Sequence, residues 1–227
     1  MKRKIIGIIL TLVVIFTSIS LFSCERNREY DEAEVVLAAE NLIKKSITLN
    51  EIFYGKGIPY IDNAATALGK YYMADDIYLS LMGIETLSDL DKKNREVFSA
   101  SLSDQIYNTK MKTVYDTDGT IKGYTRYYQK YSILDPDEPE CIMVYKEAQV
   151  LLKDKVTYNY ETLKATGSKG QTVFVEIEVV VETDDGKSQT KTLEVGLVEE
   201  QDGWKLSTPT YTTYADLDYY NNLKNKK

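Results

Sequence analysis

The sequence predicts an α+β protein in which N-terminal helices pack on a curved antiparallel β-meander. Three observations point there. Apolar residues recur at helical spacing from Val35 to Phe53, the mark of a helix with one buried stripe. Beyond about residue 110 the period falls to two: Val173, Val175, Ile177, Val179 and Val181 alternate with Phe174, Glu176, Glu178, Val180 and Glu182. Asp118-Gly119, Asp185-Gly186 and Asp202-Gly203 punctuate the alternating runs. Asp-Gly is a strong hairpin signal because both central positions of the favoured tight turn need positive φ.

In chain order, a first helix starts at Asp31 and carries Val35, Ala39, Leu42, Ser46, Leu49 and Phe53 on its stripe, widened by Val36, Ile43 and Ile47. Tyr54-Gly55-Lys56-Gly57-Ile58-Pro59 ends it, since the glycines relax the backbone and Pro59 blocks continuation. Residues 60–85 show no clear period, apart from a short extended piece at Tyr71-Tyr72-Met73. Thr86-Leu87-Ser88-Asp89 reads as an N-cap for a second helix through Leu90, Asn94, Val97 and Phe98, and a third, short one spans Ser101 to Tyr107. Strands are expected at 111–116, 121–133, 141–152, 155–166, 171–183, 189–200 and 203–211. No internal repeat and no linker rich in Pro, Gly or Ser divides the chain, so residues 33–215 are expected to form one α+β domain, followed by a polar tail over 216–227.

The start of the chain reads as an address. Lys2-Arg3-Lys4 precede an 18-residue apolar run from Ile5 to Phe22, closed by Ser23-Cys24. A basic n-region, an apolar h-region and a small residue at the cut site make a secretory signal peptide, and the cysteine after that residue resembles the lipobox of bacterial lipoproteins. The resemblance implies cleavage after residue 23, a diacylglycerol on the sulfur of Cys24, and residues 24–32 as a tether between lipid and domain. The plain alternative is a permanent transmembrane helix, because about 18 apolar residues just span a bilayer core. Such a helix has no need of Ser23-Cys24 at its exit, and basic residues more often follow it than the mixed Glu25-Arg26-Asn27-Arg28-Glu29.

Composition excludes more than it selects. There is no histidine, which removes Ser-His-Asp and Cys-His catalysis and the histidine-bearing metal sites. With Cys24 lipidated, Cys141 has no disulfide partner among the two cysteines, and a lone thiol is more often a small buried hydrophobe than a nucleophile. The net charge of −7 becomes −10 once a signal with three cations and no anions is removed, a balance that disfavours nucleic acid. Nineteen tyrosines against one tryptophan and five phenylalanines, together with many Lys, Ile and Asn, are consistent with an AT-rich genome.

The ending Glu199-Glu200-Gln201-Asp202-Gly203-Trp204-Lys205-Leu206-Ser207-Thr208-Pro209 resembles the last hairpin of NTF2-like, cystatin-type cone domains. That likeness implies that Trp204 packs beneath the N-terminal helices. The same layout is similar to secreted inhibitors of the DL-endopeptidases of Gram-positive cell walls, which implies loops that occupy a wall hydrolase's groove.

Candidate binding residues lie on the strand from Ile121 to Ile133, where Lys122, Tyr124, Arg126, Tyr128 and Lys130 alternate on one face. Cations beside aromatic faces suit an anionic polymer, a glycan or an acidic loop; the competing account is a solvated face whose lysines discourage edge pairing. Asp135-Pro136-Asp137-Glu138-Pro139-Glu140 and Asp116-Thr117-Asp118-Gly119 lack calcium-loop spacing and read as connections. Gly167-Ser168-Lys169-Gly170 lacks the spacing of a phosphate loop and reads as a turn. Glu176 and Glu178 read as solvent-facing, and Trp204 and Leu206 as core.

The chain is therefore expected to be a non-enzymatic, lipid-anchored interaction module on the extracytoplasmic face of the cell membrane, without cofactor or metal. Its partners would be the membrane, through the lipid, and an envelope protein or wall polymer. Two alternatives stand beside it. One is a small NTF2-like isomerase or dehydratase with an Asp/Tyr pocket, the other a ligand-sensing accessory lipoprotein.

Overall fold

The computed structural model describes residues 28–65, 70–112, 114–115, 117, 121–123, 125–130, 141–148, 155–183 and 185–210. Cys24 and the apolar run before it lie outside these residues, as do Asp135 to Glu140 and the tail. Among the described residues no helix is long and apolar enough to cross a membrane.

Helix α1, Glu32–Tyr54, follows the predicted stripe: Val35, Ala39, Leu42, Ile43, Ser46, Leu49, Ile52 and Phe53 are buried. Asp31 starts it by accepting hydrogen bonds from the amides of Ala33 at 2.9 Å and Glu34 at 3.2 Å, which satisfies two of the helix's orphan donors. Glu32 and Glu34 place negative charge in the first turn, where the helix dipole favours it. The last turn holds no basic residue, so its carbonyls must find donors elsewhere.

The C-terminal sheet is the part most legible in the sequence. Strands β7 (Lys155–Lys169), β8 (Thr172–Glu182), β9 (Ser188–Glu200) and β10 (Gly203–Leu206) pair antiparallel in the order β10-β9-β8-β7. One face is apolar over most of its length, where Val173, Val175, Ile177, Val179, Val181, Val195, Leu197 and Leu206 are inaccessible to solvent; Lys191 and Gln189, opposite Val179 and Val181, make its far end polar, and α1 lies against it. Turns at Gly186 (φ 77°) and Gly203 (φ 115°) fall on two of the predicted Asp-Gly pairs; Asp118-Gly119 lies outside the described residues. Irregular register in β7, where Asn159 to Lys164 opposes only Glu178 to Glu176 and Ala165 to Gly167 opposes Val175 to Phe174, bends the sheet as bulges do. Trp204, expected in the core, is half-buried against its margin, and its indole N–H donates to Glu34 of α1 at 2.7 Å.

The rest departs from a single meander. Strands β1 (Tyr60–Ala65), β2 (Tyr71–Ala74), β5 (Tyr127–Lys130) and β6 (Cys141–Tyr145) form a separate antiparallel sheet in the order β1-β2-β6-β5, and among the described residues β3 (Val114–Tyr115) pairs with β4 (Ile121–Gly123) alone. The expected strand over 121–133 is thus two short strands in different sheets. The expected strand over 141–152 stops at Tyr145, and a 3-10 turn follows at Lys146–Ala148. Residues 60–85, which had no readable period, supply β1, β2 and helix α2, Asp76–Met82. Helix α3, Leu87–Val97, and helix α4, Ala100–Ile106, lie where expected, and a π-helical turn at Tyr107–Met111 takes the place of the predicted strand start. One apolar core is continuous across these parts, running from Val35 and Phe53 on α1 to Tyr127, Ile142 and Val144 of the first sheet and Ile177 of the second.

Helix α3 carries the capping box that the sequence announced. Thr86 Oγ1 accepts from the Asp89 amide at 3.2 Å, and Asp89 accepts from the Thr86 amide and hydroxyl at 2.9 Å each. These hydrogen bonds from Thr86, then that from the Glu85 amide, hold the Asp89 carboxyl below the usual aspartate range. A folded-state pKa below the unfolded one contributes stability that is present above the unfolded value and lost as pH falls through the folded one. Asp89→Asn is therefore expected to lower stability at neutral pH and to flatten its dependence on pH below about 4. Urea midpoints measured from pH 6 to pH 2 check this, and parallel curves for the two proteins would rule the contribution out.

Candidate functional site

The end of α1 is closed from a distance. The Arg126 guanidinium donates to the carbonyl of Phe53 at 3.1 Å, to the carbonyl of Gly55, and to the Tyr127 hydroxyl at 3.1 Å. That hydroxyl in turn donates to the Ile52 carbonyl at 2.6 Å and accepts from the Ile58 amide at 3.0 Å. A cation placed on the orphan carbonyls of a helix C-terminus is favoured by both hydrogen bonding and the dipole. Gly57 passes so close, with φ at 83°, that a Cβ there would sit 2.6 Å from Arg126 Nη2 and from Tyr127 Oη. Burial pushes the Tyr127 phenol up, with Arg126 opposing. Burial, with Arg126 adding to it, pulls the Lys110 ammonium down.

This placement revises the predicted binding stripe. Arg126 is 4% exposed and Tyr128 9%; Tyr128 packs in a second apolar cluster with Tyr71 and Met143, its ring edge-on to Tyr71 at 4.7 Å. Lys130 is half-buried at the end of β5, opposite Cys141. Lys122 has only its backbone described, in β4, and Tyr124 lies outside the described residues. The residues Lys122 to Lys130 therefore do not form one exposed face. The chain changes sheets between Gly123 and Tyr127, and Arg126 is committed to closing α1.

The other predicted features fall as follows. Gly167 to Gly170 is the end of β7 and its turn, with Gly170 at φ 58°. Glu178 is exposed, while Glu176 is half-buried, 3.5 Å from Lys164 and directly across the sheet from Glu194. Among the described residues no three His, Cys, Asp or Glu side chains gather as a metal site.

Two regions at opposite ends of α1 carry more information. At its start, the Arg28 amide donates to the Gly170 carbonyl at 3.1 Å, and the Ser168 hydroxyl donates to the Arg28 carbonyl at 3.0 Å. The Arg28 guanidinium pairs with Glu199 and lies 5.0 Å from the Trp204 ring centre. The chain is thus already bound to the sheet at Arg28, within the segment expected to be a free tether.

Near the other end of α1 sits α2. The Asp75 amide donates to the Pro59 carbonyl at 2.8 Å. Glu51 near the end of α1 is close enough to add to the effect of burial in pushing the Tyr78 phenol up. Asp75 caps the start of α2 by accepting from Ile77 and Tyr78, and Gly83, in the left-handed conformation, closes its end. Leu79 faces the core, while Ile77 is 75% and Leu81 83% exposed. Beside them is a cleft of about 260 Å³ lined by Asp76, Leu79, Ser80, Gly83, Ile84 and Glu85. Sequence reasoning missed this site because a seven-residue helix with aliphatic residues on both faces shows no amphipathic period.

No protein-family model matches the chain, and no curated protein is found to be similar to it.

Proposed function

We propose that the protein is a lipid-anchored, non-enzymatic interaction module of the cell envelope, tethered at one end of α1 and engaging a protein partner at the other. The observation that supports this most directly is the polarity of the fold along α1. Arg28, four residues after Cys24, is strapped to the sheet at the helix start, and the exposed Ile77 and Leu81 lie near its finish. About 25 Å of helix separates Glu34, which meets Trp204, from Glu51, whose charge is felt by Tyr78 of α2. Four residues of leash reach at most about 14 Å, so this reading keeps the turn at Gly170, bound to Arg28, within that distance of the bilayer while α2 sits near the opposite end of α1. A helix lying on a bent antiparallel sheet whose Gly-Trp strand meets that helix supports the NTF2-like, cystatin-type likeness.

The test is the state of the chain in its native membrane. Intact mass is expected to show residues 1–23 removed and Cys24 diacylated, and Cys24→Ser is expected to leave an unprocessed chain without lipid. A wild-type chain that keeps its first 23 residues, or that leaves the membrane in high salt, would defeat the anchored reading.

A further inference from the structure

We propose that Ile77 and Leu81 anchor a protein-docking surface whose partner presents an apolar groove rimmed by Lys or Arg. The two residues are one turn apart and so share a face of α2. Capping at both ends holds the helix in register, and Leu79 fixes its other side in the core. Single exposed aliphatic residues are ordinary. A pair at i and i+4 on a locked helix, each at least three-quarters exposed, has the spacing by which an amphipathic helix enters a partner's groove.

Charge decides among occupants. Asp76 and Glu85 are exposed carboxylates on the rim of the neighbouring cleft, and a cation beside it is Lys93, whose Nζ would lie 3.9 Å from a Cβ on Gly83. A second copy of this surface would bring carboxylates against carboxylates, and the whole chain at −7 repels anionic lipid and anionic polymer. A polysaccharide stacks its C–H faces best on flat aromatic rings, which this pair of aliphatic side chains does not supply. A protein groove with a basic rim satisfies both the apolar pair and the acidic border. The orientation away from the bilayer rests on the tethered-module reading; the docking surface itself does not.

The experiment places photoreactive benzoylphenylalanine at Leu81 of the full chain, and in a control at exposed Thr192 on β9, and irradiates each in the native envelope. The expected result is a protein adduct at Leu81 that is absent at Thr192. Ile77→Ser is expected to cut its yield about tenfold, and Asp76→Asn/Glu85→Lys or raised salt severalfold, with unchanged circular dichroism and urea midpoint. The absence of an adduct at Leu81, an equal adduct at Thr192, or a yield indifferent to Ile77→Ser overturns the proposal. Crosslinking to lipid or to a second copy does the same. Loss of membrane attachment in the wild-type chain with the adduct retained would remove the tether reading and leave the docking surface standing.

Discussion

Arg126→Met is expected to lower the unfolding free energy by about 3 kcal/mol, since each charge-assisted hydrogen bond is worth roughly 1.5–3 kcal/mol and a buried acceptor left without its donor adds a desolvation cost. The groups left behind by the substitution decide the size of the loss. Replacing a buried ion pair with apolar groups can be neutral when both partners go, but here the carbonyls of Phe53 and Gly55 stay in place and lose their donor. The side chain regains some free energy by no longer desolvating a cation, which keeps the expected loss below the sum of its bonds. Lys164→Met, at a surface pair in which Lys164 is exposed and Glu176 half-buried, is the control and is expected to change stability by no more than about 0.5 kcal/mol. Urea unfolding followed by the fluorescence of Trp204 reads both, and equal midpoints for the two variants would show that the guanidinium is not needed at the end of α1.

Gly57→Ala is expected to cost about 2–4 kcal/mol, from two separable sources. A φ of 83° strains any residue with a Cβ, which accounts for roughly 1 kcal/mol. The remainder comes from the approach of that Cβ to 2.6 Å from two polar atoms that cannot retreat, because Arg126 and Tyr127 are each held by bonds to the end of α1. The double variant separates the sources. Once Arg126→Met has removed the guanidinium, Gly57→Ala has less to collide with, so the pair should cost at least about 0.5 kcal/mol less than the sum of the single changes. Strict additivity would mean that strain alone explains the glycine.

Much of the C-terminal half was legible because each residue's environment there is set by its neighbours in the chain. Alternation in Val173 to Glu182 follows from the two-residue period of a strand, Asp185-Gly186 and Asp202-Gly203 mark turns, and Thr86 with Asp89 satisfies helix donors within four residues. Helix α1 was readable for the same reason, since its stripe repeats over 23 residues. Legibility failed where elements were short or their partners remote. Strand β2 meets β6 across about 70 positions of chain, a separation no local pattern encodes. Arg126 looked like one member of a basic and aromatic stripe because alternation by itself does not say whether a strand continues. Its identity as a helix cap depends on carbonyls more than 70 residues earlier.

The sequence by itself determined the class, the helix on its antiparallel sheet, the turns that join it, and the chemistry that an absence of histidine forbids. Those follow from periodicity, backbone preference and composition, which act over a few residues or over the whole chain. Tertiary structure alone decided which cation is buried and which aliphatic side chains stay in water. Arg126 and Ile77 both reverse the expectation from their residue type. The closing of α1 gave the first a set of carbonyls to satisfy, and the docking of α2 through Leu79 left the second on the outside. Burial is a property of where elements meet, and it is settled only when the remote parts of the chain have packed.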